Sequence, residues 1–230
     1  MKTLAFLAAM MAAVATMPAH AEERRITVSG TGTALAVPDM ATLTLGVTNQ
    51  DKEASNAMQA TSDAVAQILT RLDEMGLESR DVQTRDLSLS PVWSNSGISS
   101  GSQREITGFV ASNRVFIRVR DLNNLGQIMD AVIRDGANDF GGLSFSVQEP
   151  KPLEDKARAD AVADARDKAE QLAQAAGVTL GQVVSISDQA GGIRPVAQMS
   201  RLAQAESGVP VAGGEVSVAV NVSMVFEIED

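Results

Sequence analysis

Residues 216–229 read VSVAVNVSMVFEIE, and their alternation decides the fold class. Val216, Val218, Val220, Val222, Met224, Phe226 and Ile228 fall on one face of an extended chain. Glu215, Ser217, Asn221, Ser223, Glu227 and Glu229 fall on the other. Successive side chains of a strand point to opposite faces, so this period of two predicts one long strand, dry on one side and wet on the other. Strands of that kind belong to antiparallel sheets, whose second face can meet water.

The same period recurs upstream. Over Phe109–Arg120, Val115, Ile117 and Val119 oppose Arg114, Phe116, Arg118 and Arg120. Ala41, Leu43, Leu45 and Val47 alternate with Thr42, Thr44 and Thr48. Further strands are expected at Arg25–Ala36, Val82–Trp93, Phe140–Gln148 and Gln182–Asp188. Between them the period lengthens to that of helices. One helix is expected from about Lys52 to Met75, stopped by Gly76, and a shorter one from about Leu122 to Arg134, stopped by Gly136. A third follows Pro150 and Pro152, runs to Ala176 and stops at Gly177. It aligns Ala157, Ala161, Ala165, Ala169, Leu172, Ala173 and Ala176 on one side, which implies a close approach to its neighbour. Glu154–Arg158, Asp164–Lys168 and Arg166–Glu170 are expected as i,i+4 pairs on its other faces. The spacing from Gly76-Leu77 to Val82 is echoed from Gly177-Val178 to Val183; it is open to duplication or to shared helix-end grammar.

The element order is β-β-α-β-β-α-β-α-β-β, with a split βαβ (βαββαβ) middle. The expected class is α+β: a largely antiparallel sheet with helices on one face, an added helix and C-terminal strands. Gly30-Thr31-Gly32 lacks the third glycine and the following helix of a nucleotide-binding fingerprint. Glycine inside a strand more often marks a bulge or a close backbone approach. Two loops stand out. Residues 94–103, SNSGISSGSQ, are expected to be mobile. Residues 191–214 are nearly uncharged yet carry Ile193, Val196, Met199, Leu202 and Val211. A free linker is normally polar, so order on assembly is the alternative to disorder there.

The N-terminus reads as an export signal. Lys2 precedes an apolar run from Leu4 to Val14, and Pro18 precedes Ala19-His20-Ala21, a small-x-small cleavage pattern. Residues 1–21 are therefore a signal peptide and 22–230 one domain, destined for the periplasm. Cleavage after Ala21 removes the only histidine from a chain without cysteine or tyrosine. Ser-His-Asp and Cys-His catalysis, structural zinc, haem and Fe–S ligation then lack their side chains. A Ser-Lys dyad has no SxxK signature, and no Asp-rich calcium loop is present. No cofactor, no metal and no enzymatic activity are expected. The formal charge of −10 argues against nucleic acid and anionic lipid as partners. No later stretch resembles a transmembrane helix.

Residues 26–47 (ITVSGTGTALAVPDMATLTLGV), 108–138 (GFVASNRVFIRVRDLNNLGQIMDAVIRDGAN), 141–147 (GGLSFSV) and 159–187 (ADAVADARDKAEQLAQAAGVTLGQVVSIS) form an ordered set. That set resembles the SIMPL-domain family of exported bacterial proteins. The resemblance implies a periplasmic protein associated with tolerance of oxidative and other stress, without defined catalytic residues. Family members often carry Tyr where this chain has Phe109, and several aromatics where only Trp93 remains.

The expected role is a non-enzymatic, self-associating envelope protein contributing to stress tolerance, a homo-oligomer assembled in part through residues 191–214. The alternative is a periplasmic binding module for a small ligand or an exported client protein. The interaction candidates are Trp93, Arg114, Arg118, Arg120, Met199 and Leu202. The three arginines share a strand face, where Glu227 and Glu229 are suitable cross-strand partners; an inter-subunit or anion-binding stripe is the other reading. The mature protein is expected to begin at Glu22. Intact mass of the periplasmic fraction checks this, and a chain retaining residues 1–21 in the membrane would contradict it.

Overall fold

The structure, a computed structural model, describes residues 24–94, 104–195 and 211–229. The strands are β1 (Arg25–Ala36), β2 (Met40–Asp51), β3 (Val82–Trp93), β4 (Ile106–Val119), β5 (Asp139–Ser146), β6 (Thr179–Pro195) and β7 (Val216–Glu229). The helices are α1 (Ala54–Glu74), α2 (Leu125–Arg134) and α3 (Lys151–Ala176). Single 3₁₀ turns at Ser79–Asp81 and Leu122–Asn124 precede β3 and α2. The order is the one read from periodicity, and the class is α+β with helices packed on antiparallel sheets.

The strands divide into two sheets. The first has the order β3-β4-β2-β5 and is antiparallel throughout. It holds the split βαβ arrangement: β2 and β4 lie side by side at the centre, and each connects through a helix to the strand beyond the other. The second sheet has the order β1-β7-β6 and is also antiparallel. β1 therefore pairs with β7 along its whole length, from Arg25 opposite Glu227 to Ala36 opposite Val216, rather than with β2. The joint is Val37-Pro38-Asp39. Pro38 has no N–H to give a ladder, and the Asp39 N–H donates to the Ser146 carbonyl at 3.2 Å, committing this joint to β5.

Each sheet has its own core. In the first, Leu43, Leu45, Val47, Val115 and Ile117 from the centre of the sheet meet Ile68 and Leu72 of α1 and Leu125, Ile128 and Val132 of α2. The one buried polar side chain of α1, Thr61, donates to the Ala111 carbonyl at 3.3 Å and accepts from Asn49 at the same distance, so its burial leaves no unmade bond. In the second, Val218, Val220, Val222, Met224 and Phe226 of β7 face α3, as the alternation predicts. Asn221 points outward and accepts from the Thr31 hydroxyl.

α3 buries Ala157, Ala161, Ala165, Ala169 and Ala173, a row at every fourth residue. Leu172 falls off this row and is 51% exposed, unlike its expected place among the alanines. Alanine alone does not bring a helix this close; the strand beneath it must also give way. A Cβ built on Gly32 would stand 1.9 Å from the Ala157 carbonyl oxygen and 2.5 Å from the Ala161 nitrogen. One built on Gly30 would stand 2.1 Å from the Ala161 carbonyl oxygen. The Gly-Thr-Gly of β1 is thus a close backbone approach.

Gly177 caps α3 in the left-handed region, φ 70°, and the Val178 N–H donates back to the Ala173 carbonyl. α1 and α2 end with the same five-residue bond, Leu77 to Leu72 and Ala137 to Val132. The Gly76/Gly177 echo includes this shared helix-end bond, which α2 has as well. Of the expected helix pairs, Asp164–Lys168 and Arg166–Glu170 form, whereas Arg158 turns to Asp155 and Asp188 instead of Glu154. β6 outruns its expected bounds at both ends, so residues 191–195 of the segment read as a loop are strand. Residues 196–210, including Met199 and Leu202, lie outside the described residues, as do 95–103.

Gly32→Ala should destabilise the protein by about 3 kcal/mol, the upper end of the usual overpacking cost, because backbone atoms are what the new methyl meets. That corresponds to a Tm drop of roughly 6–12 °C. Thr33→Ala, on the exposed face of the same strand, should stay within about 0.5 kcal/mol. Thermal melts of the two variants check the seam; equal midpoints would contradict it.

Candidate functional site

Arg114, Arg118 and Arg120 project from β4 and the residue following it, on the face of the first sheet opposite its helices. Their partners are Asp139 and Asp81, not Glu227 and Glu229. The latter two stand on β7, which the division into two sheets carries away from β4. Arg114 Nε donates to Asp139 Oδ2 at 2.7 Å. Arg120 engages Asp81 with two bonds, Nε to Oδ2 at 2.6 Å and Nη2 to Oδ1 at 2.9 Å. Arg118 Nη1 reaches Asp81 Oδ1 at 3.3 Å.

Asp81 closes the 3₁₀ turn before β3, and its side chain is 3% exposed. A carboxylate this buried requires compensation, and two guanidinium groups supply it. The hydrogen bond from Arg120 comes first in holding the Asp81 carboxyl below the usual carboxylate range; the charges of Arg120, Arg118 and Arg80 act with it, against burial. Arg118 Nε is buried without a hydrogen-bond partner among the described residues.

The network continues to the joints between the sheets. Arg120 Nη1 donates to Gln148 Oε1 at 3.4 Å, and Gln148 Nε2 donates back to the Arg120 carbonyl. The Gln148 N–H donates to Asp39 Oδ1 at 2.7 Å. Asp39 lies between β1 and β2, and Gln148 between β5 and α3. The chain crosses from one sheet to the other at these two connections. Asp81, Arg120, Gln148 and Asp39 therefore form a clasp that ties both crossings to the end of β4. Asp81, Gln148 and Asp39 carry no period and match no motif, which is why sequence reading missed them.

A cavity of about 190 Å³ opens beside the clasp, lined by Met75, Leu77, Asp81, Arg118, Arg120 and Ile128 among others. Glu78, Asp81 and Asp121 at its wall outnumber the two arginines, so it offers no net positive charge to draw an anion. Elsewhere on the same sheet, the Arg85 guanidinium lies 4.1 Å from the centre of the Phe116 ring, a cation–π contact not expected from sequence. Trp93 ends β3, opposite Ile106, and is 50% exposed, apart from the arginines. Among the described residues, no group of three His, Cys, Asp or Glu is placed to hold a metal, and no helix is long and apolar enough to cross a membrane.

The fold and the clasp define an α+β protein of two helix-backed antiparallel sheets, one of them a split βαβ. The chain belongs to the SIMPL family: the family's sequence model, described as a protein of unknown function (DUF541), matches residues 26–226. It is 37% identical over 241 residues to the 26 kDa periplasmic immunogenic protein of Brucella melitensis biotype 1, covering 97% of this chain and 95% of that one. The protein of the same name from Brucella abortus strain S19 matches equally, at 37%. The protein YggE of Escherichia coli K12, described as uncharacterized, is 28% identical over 233 residues, covering 97% and 92% of the two chains.

Because its folded pKa is lowered, Asp81 contributes stability that is fully present above the ordinary carboxylate pKa of about 3.9 and is lost as pH falls through the lower folded value. Asp81→Asn should cost about 1.5–3 kcal/mol at pH 7, the range for hydrogen bonds to charged groups. The gap between variant and wild type should narrow below about pH 4. Denaturant midpoints at pH 7 and pH 3 check this; a gap that does not change with pH would show that the carboxylate's charge contributes nothing.

Proposed function

We propose that this protein is a non-enzymatic periplasmic protein that associates with itself through the outer edge of β6. One observation carries the reading. α3 packs mainly over β1 and less over β7, and reaches β6 least. β6 is 17 residues long and has no partner beyond it among the described residues. Val183, Val184 and Ile186 are exposed along it, Ile186 by 56%. Edge strands are usually blunted by lysine or other charge. β6 has no lysine; its charged residues are Arg194, next to its last residue, and Asp188, which is already bridged to Arg158. Bulges at three places bend the strand, a partial guard that leaves its apolar side chains in place. β6 also runs into the segment 191–214 as far as Pro195.

The periplasmic location is supported by the export signal and by the names of the Brucella relatives. The non-enzymatic reading is supported by the absence of His and Cys after cleavage and by the commitment of the β4 arginines to structural carboxylates. The contribution to stress tolerance rests on the family resemblance alone. A second reading, a binding module for a small ligand or an exported client, is favoured by the open groove between β1 and α3. There Leu172 stands exposed near Val28, Lys168 and Gln171.

Light scattering on the mature protein at micromolar concentration should give a mass above that of one chain. Val184→Lys/Ile186→Lys, which places two charges along the β6 edge, should lower that mass with little change in Tm. A monomeric wild type would remove the self-association reading and leave the binding module.

A further inference from the structure

The two edges of the three-stranded sheet differ. Beyond β6 no strand pairs among the described residues. Beyond β1 it is occupied by side chains from α3. The Thr31 N–H, turned away from β7, donates to Asp164 Oδ2 at 2.7 Å. Two residues back, the Ser29 carbonyl accepts from Lys168 Nζ at 3.1 Å. Lys168 also donates to Asp164 Oδ2 at 2.6 Å, closing a triangle of one carboxylate, one ammonium and one strand edge. A donor and an acceptor that an incoming strand would need are thereby already bonded, and two charged side chains stand where its backbone would lie.

This arrangement depends on the Gly-Ala seam. Asp164 precedes Ala165, whose nitrogen would be 2.5 Å from a Cβ on Gly30, and Lys168 follows one turn later. A helix held farther off would leave both side chains short of the strand. The Asp164 carboxyl is held below its ordinary range, first by Lys168 and then by the Thr31 N–H, so it is charged at neutral pH.

We propose that the Asp164–Lys168 pair is a clip that closes the β1 edge to strand addition, so that a strand of a second copy can extend the three-stranded sheet only beyond β6. The restriction to β6 rests on the self-association reading above; the closure of β1 does not. The clip acts by occupancy rather than by stabilisation. Both side chains are partly exposed, and exposed pairs contribute little to folding.

The test uses the mature full-length protein carrying Asp164→Ala/Lys168→Ala, alone and in the Val184→Lys/Ile186→Lys background. The Thr31 amide should exchange with solvent roughly tenfold faster or more without its charged acceptor, while Tm stays within about 2 °C of the parent. In the blocked-β6 background, removing the clip should by itself raise the mass seen by light scattering, through the newly opened β1 edge. Asp164→Asn keeps an acceptor oxygen for Thr31 and should retain the parent mass. Unchanged Thr31 exchange would overturn the proposal. So would faster exchange without any gain in mass. If the wild type is a monomer, the self-association reading fails, yet clip removal should still produce association.

Discussion

The approach of the α3 backbone to β1 is the constraint on which the second half of this structure depends. At Gly30 and Gly32 the helix lies so near the strand that no side chain fits between them. The alanines at 157, 161 and 165 are the helix's side of the same contact. Such a seam buries little apolar area per residue. Its strength comes from close dispersion contact between backbones, and the larger transfer term comes from Val218, Val220, Val222, Met224 and Phe226 on β7. Drawing the helix to β1 has two further effects. It brings Asp164 and Lys168 within reach of the strand's outer edge, and among the described residues it leaves β6 the least covered strand of the sheet. The guard on the β1 edge thus follows from two missing methyl groups.

The first half is held differently. Its core is a conventional contact of branched aliphatic side chains between sheet and helices. What needs explanation is how it stays in register with a second sheet that shares no ladder with it. The clasp of Asp81, Arg120, Gln148 and Asp39 provides the tie at both crossings. The segment before β7 adds an apolar one. Val211 packs on the first core, and Gly213 lies close to Pro38 and Phe145. Without a disulfide available, polar side chains and this short apolar seal hold the joints.

Much of this was legible in the sequence, and the reason is periodicity. The alternation over 216–229 located β7 and its buried face, alanine at every fourth position predicted a closely packed α3, and Gly30-Thr31-Gly32 pointed to a close approach rather than a nucleotide loop. What periodicity lacks is pairing. Nothing in β1 or β2 states that one ladders with β7 and the other with β4 and β5. A single sheet therefore made Glu227 and Glu229 reasonable partners for the β4 arginines, while the actual acceptors are Asp139, at the start of β5, and Asp81, in a 3₁₀ turn of no distinctive composition. Leu172 was misplaced for a related reason: it lies one residue before Ala173, near the alanine stripe by angle but outside the seam once the helix sits mainly over β1.

The proposed role makes sense of one further property. A chain of charge −10 repels its own copies, so an interface between copies must lie where that charge is thin. α3 carries a dense set of acidic and basic side chains along its exposed faces, many of them paired with one another. β6 carries only Asp188 and Arg194 between Thr179 and Pro195, and the carboxylate is bridged by Arg158 from α3. The same helix thus guards one edge of the sheet and removes the repulsion from the other. Under that arrangement strand addition would be directional, because only one of the two edges offers both free backbone groups and a nearly neutral approach.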